Sequence, residues 1–72
     1  MSRTTDNVIR VIHAGGNMNV NGEKMTTDSL VRVAKAAVAS GSTVTLMGLG
    51  KHSTDSLIRI VEAGGKNIIL QD

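Results

Sequence analysis

Three related stretches decide the fold of this chain: Thr5-Asp6-Asn7-Val8-Ile9-Arg10-Val11, Thr27-Asp28-Ser29-Leu30-Val31-Arg32-Val33 and Thr54-Asp55-Ser56-Leu57-Ile58-Arg59-Ile60. The aspartate of the first stretch recurs 22 residues later, and again after a further 27 residues. Recurrence at such intervals is typical of stacked supersecondary units that bury their apolar faces against one another. We therefore predict a single domain over residues 1–72, built from three units at about 4–25, 26–52 and 53–72.

Each stretch has the features of a helix start. A hydroxyl residue precedes the aspartate, and the two offer a capping oxygen and a negative charge to the helix N-terminus. Apolar doublets follow and form one wide helix face, and glycines at 15–16, 41 and 64–65 predict the helix ends. An arginine four residues after each aspartate predicts three ion pairs within helices: Asp6–Arg10, Asp28–Arg32 and Asp55–Arg59.

A short alternating pattern follows each predicted helix. Apolar side chains alternate mostly with polar ones over residues 17–21, 43–47 and 67–71. This period of two indicates strands with one buried face. Helices between successive strands predict parallel pairing with right-handed crossovers. The expected fold class is therefore α/β, with three αβ repeats in two layers: a short parallel three-stranded sheet and helices on one face.

The amino-acid composition excludes several classes of protein. The 72 residues include no cysteine and no aromatic residue, and the net charge is +2. The absence of cysteine excludes a disulfide scaffold and a thiolate metal site. The apolar runs are too short to span a membrane and no basic-then-apolar leader is present, so we expect a cytoplasmic protein with no membrane partner. An aliphatic core this small is marginal alone, so we expect a homo-oligomer, with a dimer favoured.

The stretch from Val44-Thr45-Leu46 through Ser53-Thr54-Asp55-Ser56-Leu57 combines a short strand with a helix start. A unit of 20-odd residues with one polar sheet face resembles the long, helix-containing subtype of the leucine-rich repeat. The similarity covers roughly three units, essentially the whole chain. It implies a protein partner on the polar sheet face, and no catalysis.

The segment from Gly48 to Thr54 lies between a predicted strand and a predicted helix, where glycine-rich loops bind phosphates. The phosphate-loop pattern is incomplete, because Thr45 occupies its first glycine position and His52 its hydroxyl position. Asp55, in the first helical turn, repels anions. We therefore favour a structural turn here, and an anion or nucleotide site is the weakest of the functional hypotheses.

Other chemistry is not indicated by the sequence. His13 and His52 fall in different units, whereas a metal site needs three or four converging ligands. No Ser–His–acid spacing and no carboxylate pair stands out. We therefore predict no catalytic residue, no metal site and no cofactor, and we expect a protein that is not an enzyme.

The third predicted strand is apolar on both faces, because Ile69 interrupts the polar alternation. A strand apolar on both sides expects cover on both sides, and an exposed edge strand invites pairing with another chain. We predict a two-fold homodimer that joins two sheets through Lys66, Asn67, Ile68, Ile69, Leu70 and Gln71. The function that follows is a small structural or protein-interaction module.

Association with nucleic acid is the alternative function. Basic residues at one repeat position predict a cationic row along the helices, with two lysines in the loops: Arg10, Arg32, Arg59, Lys24 and Lys51. Such a row can track a phosphate backbone. An aspartate one turn before each arginine, the lack of aromatic residues to stack on bases and the low net charge make this function less favoured.

Overall fold

A computed structural model of the protein describes residues 5–71. Helices and strands alternate along the chain: α1 (Thr5–His13), β1 (Met18–Asn21), α2 (Thr27–Ser40), β2 (Val44–Met47), α3 (Thr54–Gly64) and β3 (Ile68–Leu70). A 3-10 turn at Gly65–Asn67 connects α3 to β3. This alternation confirms the predicted α/β class, and the predicted domain ends at residues 1–4 and 72 lie outside the described residues.

Local signals in the sequence set where the helices begin and end. Each helix begins at the threonine of a Thr-Asp pair. The N-terminus of α2 is capped by Thr26, whose hydroxyl accepts from the Ser29 N–H at 3.1 Å, and Ser53 caps α3 through the Ser56 N–H at 3.2 Å. Both caps lie one residue before the hydroxyl residue predicted to supply the capping oxygen, because the threonine next to the aspartate is itself the first residue of the helix. Helix α2 ends at Gly41, whose φ of +70° lies in the left-handed region that favours glycine. The glycine stop predicted at this position is therefore confirmed.

The three strands form one parallel sheet in the order β1-β2-β3. The register aligns Met18 with Val44, and Val44 with Ile68. Strands β1 and β3 are thus the two edges of this sheet, on opposite sides of β2. The predicted parallel pairing is confirmed.

The core lies between the helices and one face of the sheet. Strand residues on that face are buried with the inner helix residues in one aliphatic cluster, which includes Val20, Val44, Leu46 and Ile68 from the strands and Ile12, Leu30, Val33, Ala34 and Ile60 from the helices. Helix α2 lies between α1 and α3 and packs against both. The alternate strand residues face away from the core, so the predicted placement of the helices on one sheet face is confirmed.

The C-terminal strand is shorter than the segment predicted for it. Lys66 and Asn67 lie in the 3-10 turn rather than in the strand. The Asn67 amide donates to the Ser42 carbonyl at 2.9 Å, which ties this turn to the loop before β2. Gln71 follows the end of β3, and its N–H donates to the Leu46 carbonyl at 2.8 Å.

Candidate interaction surface at the C-terminal edge

The outer side of α3 and β3 carries a shallow apolar groove. Its volume is about 260 Å³, and it is lined by Thr54, Leu57, Ile58, Val61, Glu62 and Leu70. Ile58, Val61 and Leu70 are 50%, 41% and 37% exposed. Scattered exposed apolar residues are normal, whereas a contiguous group at a sheet edge is typical of an interaction site. We call β3 and the outer face of α3 the C-terminal edge.

The opposite face of β3 is apolar as well. Ile69 is 49% exposed and lies in register with Thr45 of β2, which is itself in register with Asn19 of β1. Ile69 is therefore an apolar side chain at the end of an otherwise polar row on the open sheet face. The prediction that β3 has apolar residues on both faces is confirmed.

The six residues predicted for the interface have different environments. Ile68 is only 8% exposed and belongs to the core, whereas Ile69 and Leu70 are exposed on the two faces of β3. Lys66 is exposed in the 3-10 turn, ahead of the strand. The segment therefore contributes an edge backbone and two exposed apolar side chains, and the outer face of α3 extends this surface.

Sequence reasoning missed the contribution of α3 to this surface. Ile58 and Val61 belong to the apolar doublets that predict one wide apolar helix face, yet both are exposed. The periodicity of the sequence shows that a helix face is apolar, but it does not show whether another helix packs against that face. Ile58 and Val61 are exposed because α3 is the last helix of the row.

The predicted ion pairs within helices are wrong, because the arginines pair across helices instead. Arg32 of α2 binds Asp6 of α1 with a distance of 2.8 Å between Nη2 and Oδ1, and Arg59 of α3 binds Asp28 of α2 at 3.1 Å. Side-by-side packing of successive helices places each of these arginines beside the carboxylate near the start of the preceding helix. Both pairs are solvent-exposed, so their stabilising contribution is small, about 0.2–1 kcal/mol each.

The basic residues predicted for nucleic-acid contact form a row of alternating charge rather than a cationic stripe. Two of the three arginines in the predicted row bind an aspartate, and the third, Arg10 of α1, forms no ion pair among residues 5–71. In the loops, Lys51 lies 3.8 Å from a carboxylate oxygen of Glu23, while Lys24 is exposed. Carboxylates beside three of these five cations lower the local positive potential that a phosphate backbone would meet.

In the loop from Gly48 to Thr54, polar groups of His52 and Ser53 are hydrogen-bonded to other residues of the chain. The His52 N–H donates to the Leu49 carbonyl at 3.0 Å, and the His52 ring nitrogen Nε2 lies 3.0 Å from the Gly22 carbonyl oxygen. The first turn of α3 is capped by Ser53, so the Ser56 N–H already has an acceptor. These contacts favour the structural turn that the sequence indicated.

The remaining chemistry of the described residues is sparse. Over residues 5–71, no group of three or more His, Cys, Asp or Glu side chains converges to hold a metal ion. His13 is exposed in the last turn of α1, on a different element from His52. None of the helices in this part of the chain is long and apolar enough to cross a membrane.

Comparison with known proteins identifies no relative of this chain. No family model matches the sequence, and neither a curated protein nor a solved structure is significantly similar to it. The class of protein is therefore defined by the structure itself: over the described residues 5–71, three α-helices lie on a parallel three-stranded sheet.

Proposed function

We propose that this chain is a small, non-catalytic protein-interaction module of the cytoplasm that self-associates through its C-terminal edge. The observation that carries the proposal is the contiguous exposed apolar surface of Ile58, Val61 and Leu70 beside the unpaired side of β3. Burial of this surface removes apolar area from water, and pairing of β3 satisfies its outward backbone groups.

The small size of the core supports the same proposal. Its largest fully buried side chains are Ile, Leu and Val, and the sequence has no aromatic residue to enlarge it. Chains of this length have little excess of burial free energy over conformational entropy. A second subunit supplies further apolar burial without a longer chain.

Sedimentation velocity of the wild-type chain and of Ile69→Lys tests this function. We expect the wild-type chain to associate with rising concentration, and Ile69→Lys to weaken that association because a charge then lies on the edge strand. Val38→Lys is the matched control, since Val38 of the central helix α2 is also 49% exposed but is absent from the C-terminal edge.

Two results would contradict the proposal. One is a wild-type chain that sediments as a monomer at every concentration. The other is association that Ile69→Lys leaves unchanged while Val38→Lys abolishes it, which would move the interface away from β3.

A protein partner on the open sheet face is a second candidate, in line with the resemblance to leucine-rich repeats. Asn19 is exposed and Thr45 half-buried on that face, where no helix covers them. Association with nucleic acid has less support, because Arg32 and Arg59 are engaged by aspartates. Salt-dependent binding of a DNA duplex that is lost in the Arg32→Ala/Arg59→Ala double variant would favour it instead.

A further inference from the structure

We propose that the C-terminal edge of one copy binds the N-terminal edge of a second copy, head to tail. The N-terminal edge consists of β1 and the outer face of α1, on the opposite side of the molecule. In this arrangement α1 of the next copy packs on α3 as α2 packs on α1, and as α3 packs on α2, within the chain. The inference rests on the proposed self-association and identifies the partner surface.

The first observation is the burial of equivalent positions in the three recurring stretches. Val33 and Ile60 are completely buried, whereas Val11, at the same position of the first stretch, is 37% exposed. This position is buried in α2 and α3, which each follow another helix in the row, and exposed in α1, the first helix of the row. Val11 is therefore the exposed side of an interface that occurs twice inside the chain.

The residues directly after the three recurring stretches show the opposite pattern of burial. Ile12 and Ala34 are completely buried, whereas Val61, at the same position after the third stretch, is 41% exposed. These residues are covered where a following helix is present. The exposed faces of α1 and α3 are therefore the two complementary halves of one helix–helix contact.

The ion pairs between helices indicate the same head-to-tail order. Within the chain, Arg32 and Arg59 each bind the aspartate of the preceding helix, Asp6 and Asp28 respectively. This leaves Arg10 at the N-terminal edge and Asp55 at the C-terminal edge without an ion pair among residues 5–71. Head-to-tail contact places Arg10 of the next copy beside Asp55 and extends the same series.

The sheet edges are compatible with this arrangement. All three strands are parallel and in the same register, so β3 of one copy can pair in parallel with β1 of the next. Continuation of that register sets Ile69 beside Asn19 of the second copy. A two-fold dimer pairs β3 with itself and leaves Val11 and Arg10 uncovered, which is why we favour head-to-tail contact over the two-fold arrangement.

Mixing two edge variants tests the inference. Val11→Lys blocks the N-terminal edge and Val61→Lys blocks the C-terminal edge, both at exposed positions, with the fold of each checked by circular dichroism. Lysine at either position would bury a charged group in the contact, which is costly unless the charge is paired, so we expect each variant alone to associate at least about tenfold more weakly than the wild-type chain. The equimolar mixture still has one intact edge of each kind, and we expect it to form a heterodimer that grows no further.

The wild-type chain should in contrast form species larger than a dimer, because a heterologous contact leaves a free edge at each end. Charge reversal gives a second pair of variants, in which Asp55→Arg and Arg10→Asp associate weakly alone and more tightly when mixed. If the wild-type chain stops at a dimer and Val11→Lys has no effect, the head-to-tail inference is wrong and the proposed function stands. A monomer at all concentrations contradicts both.

Discussion

The central helix α2 and the outer helix α3 begin with the same residue sequence, Thr-Asp-Ser-Leu, and both are capped by a hydroxyl side chain. Five residues of α2 are buried, but only two of α3. The difference arises because α2 has a helix on each side, whereas α3 has one on a single side. Burial in this fold therefore depends on position in the row as much as on residue type.

Equivalent leucines of the two helices give the largest expected contrast. Leu30 of α2 is completely buried, and Leu57 of α3 is partly buried at the groove. We expect Leu30→Ala to lower the free energy of unfolding by about 2–5 kcal/mol, and Leu57→Ala by clearly less in dilute solution. Urea denaturation followed by circular dichroism measures both values.

The same pair of variants also responds to self-association. If the C-terminal edge is covered at high concentration, the cost of Leu57→Ala should rise towards that of Leu30→Ala. Equal costs for the two variants in dilute solution would contradict the distinction between central and outer helices.

The junction of α3 with β3 gives the next largest effect. A side chain at Gly64 would collide with the Ile68 side chain and lie 3.1 Å from Cβ of Ala34, so the outer helix is held close to both α2 and β3. We expect Gly64→Ala to cost about 1–3 kcal/mol by overpacking. Gly50→Ala is the control, because a Cβ there meets nothing within 4 Å, and thermal unfolding compares the two. An unchanged melting temperature for Gly64→Ala would be inconsistent with this close packing.

Removal of the helix caps should affect the two helices alike. Thr26→Ala and Ser53→Ala each remove the hydroxyl that accepts from the third residue of the helix, Ser29 or Ser56. We expect a loss of about 1 kcal/mol in each case, because capping acts within one turn and does not depend on neighbouring helices. Denaturant titration checks this, and a much larger loss for one helix would show that its cap has a tertiary role.

The exposed ion pairs give the smallest effect. Asp28→Asn and Asp55→Asn both remove a charge from a helix N-terminus, but of the two only Asp28 binds an arginine, Arg59, among residues 5–71. We expect Asp28→Asn to be less stable than Asp55→Asn by at most about 1 kcal/mol at low salt, with the difference shrinking as salt rises. A larger and salt-independent difference would contradict the exposed character of the pair.

The fold was largely predictable because its signals are local. Hydroxyl caps, glycine stops and alternating strands each act within a few residues, so the helices, the strands and their parallel order follow from the sequence. Two features depended on tertiary position instead. Arg32 and Arg59 reach the preceding helix rather than their own, and Val61 is exposed although its doublet resembles those of the buried helices.

Disulfide cross-linking of introduced cysteines tests most directly whether the two edges are complementary, since the chain has no cysteine of its own. Asn19 and Ile69 lie two strands apart within one copy, about 9–10 Å, which is too far for a disulfide. We expect Asn19→Cys and Ile69→Cys each to remain uncross-linked alone and to form a covalent dimer when mixed and oxidised. Head-to-tail association would be contradicted if Ile69→Cys cross-linked with itself and the mixture with Asn19→Cys gave no more covalent dimer than Ile69→Cys alone.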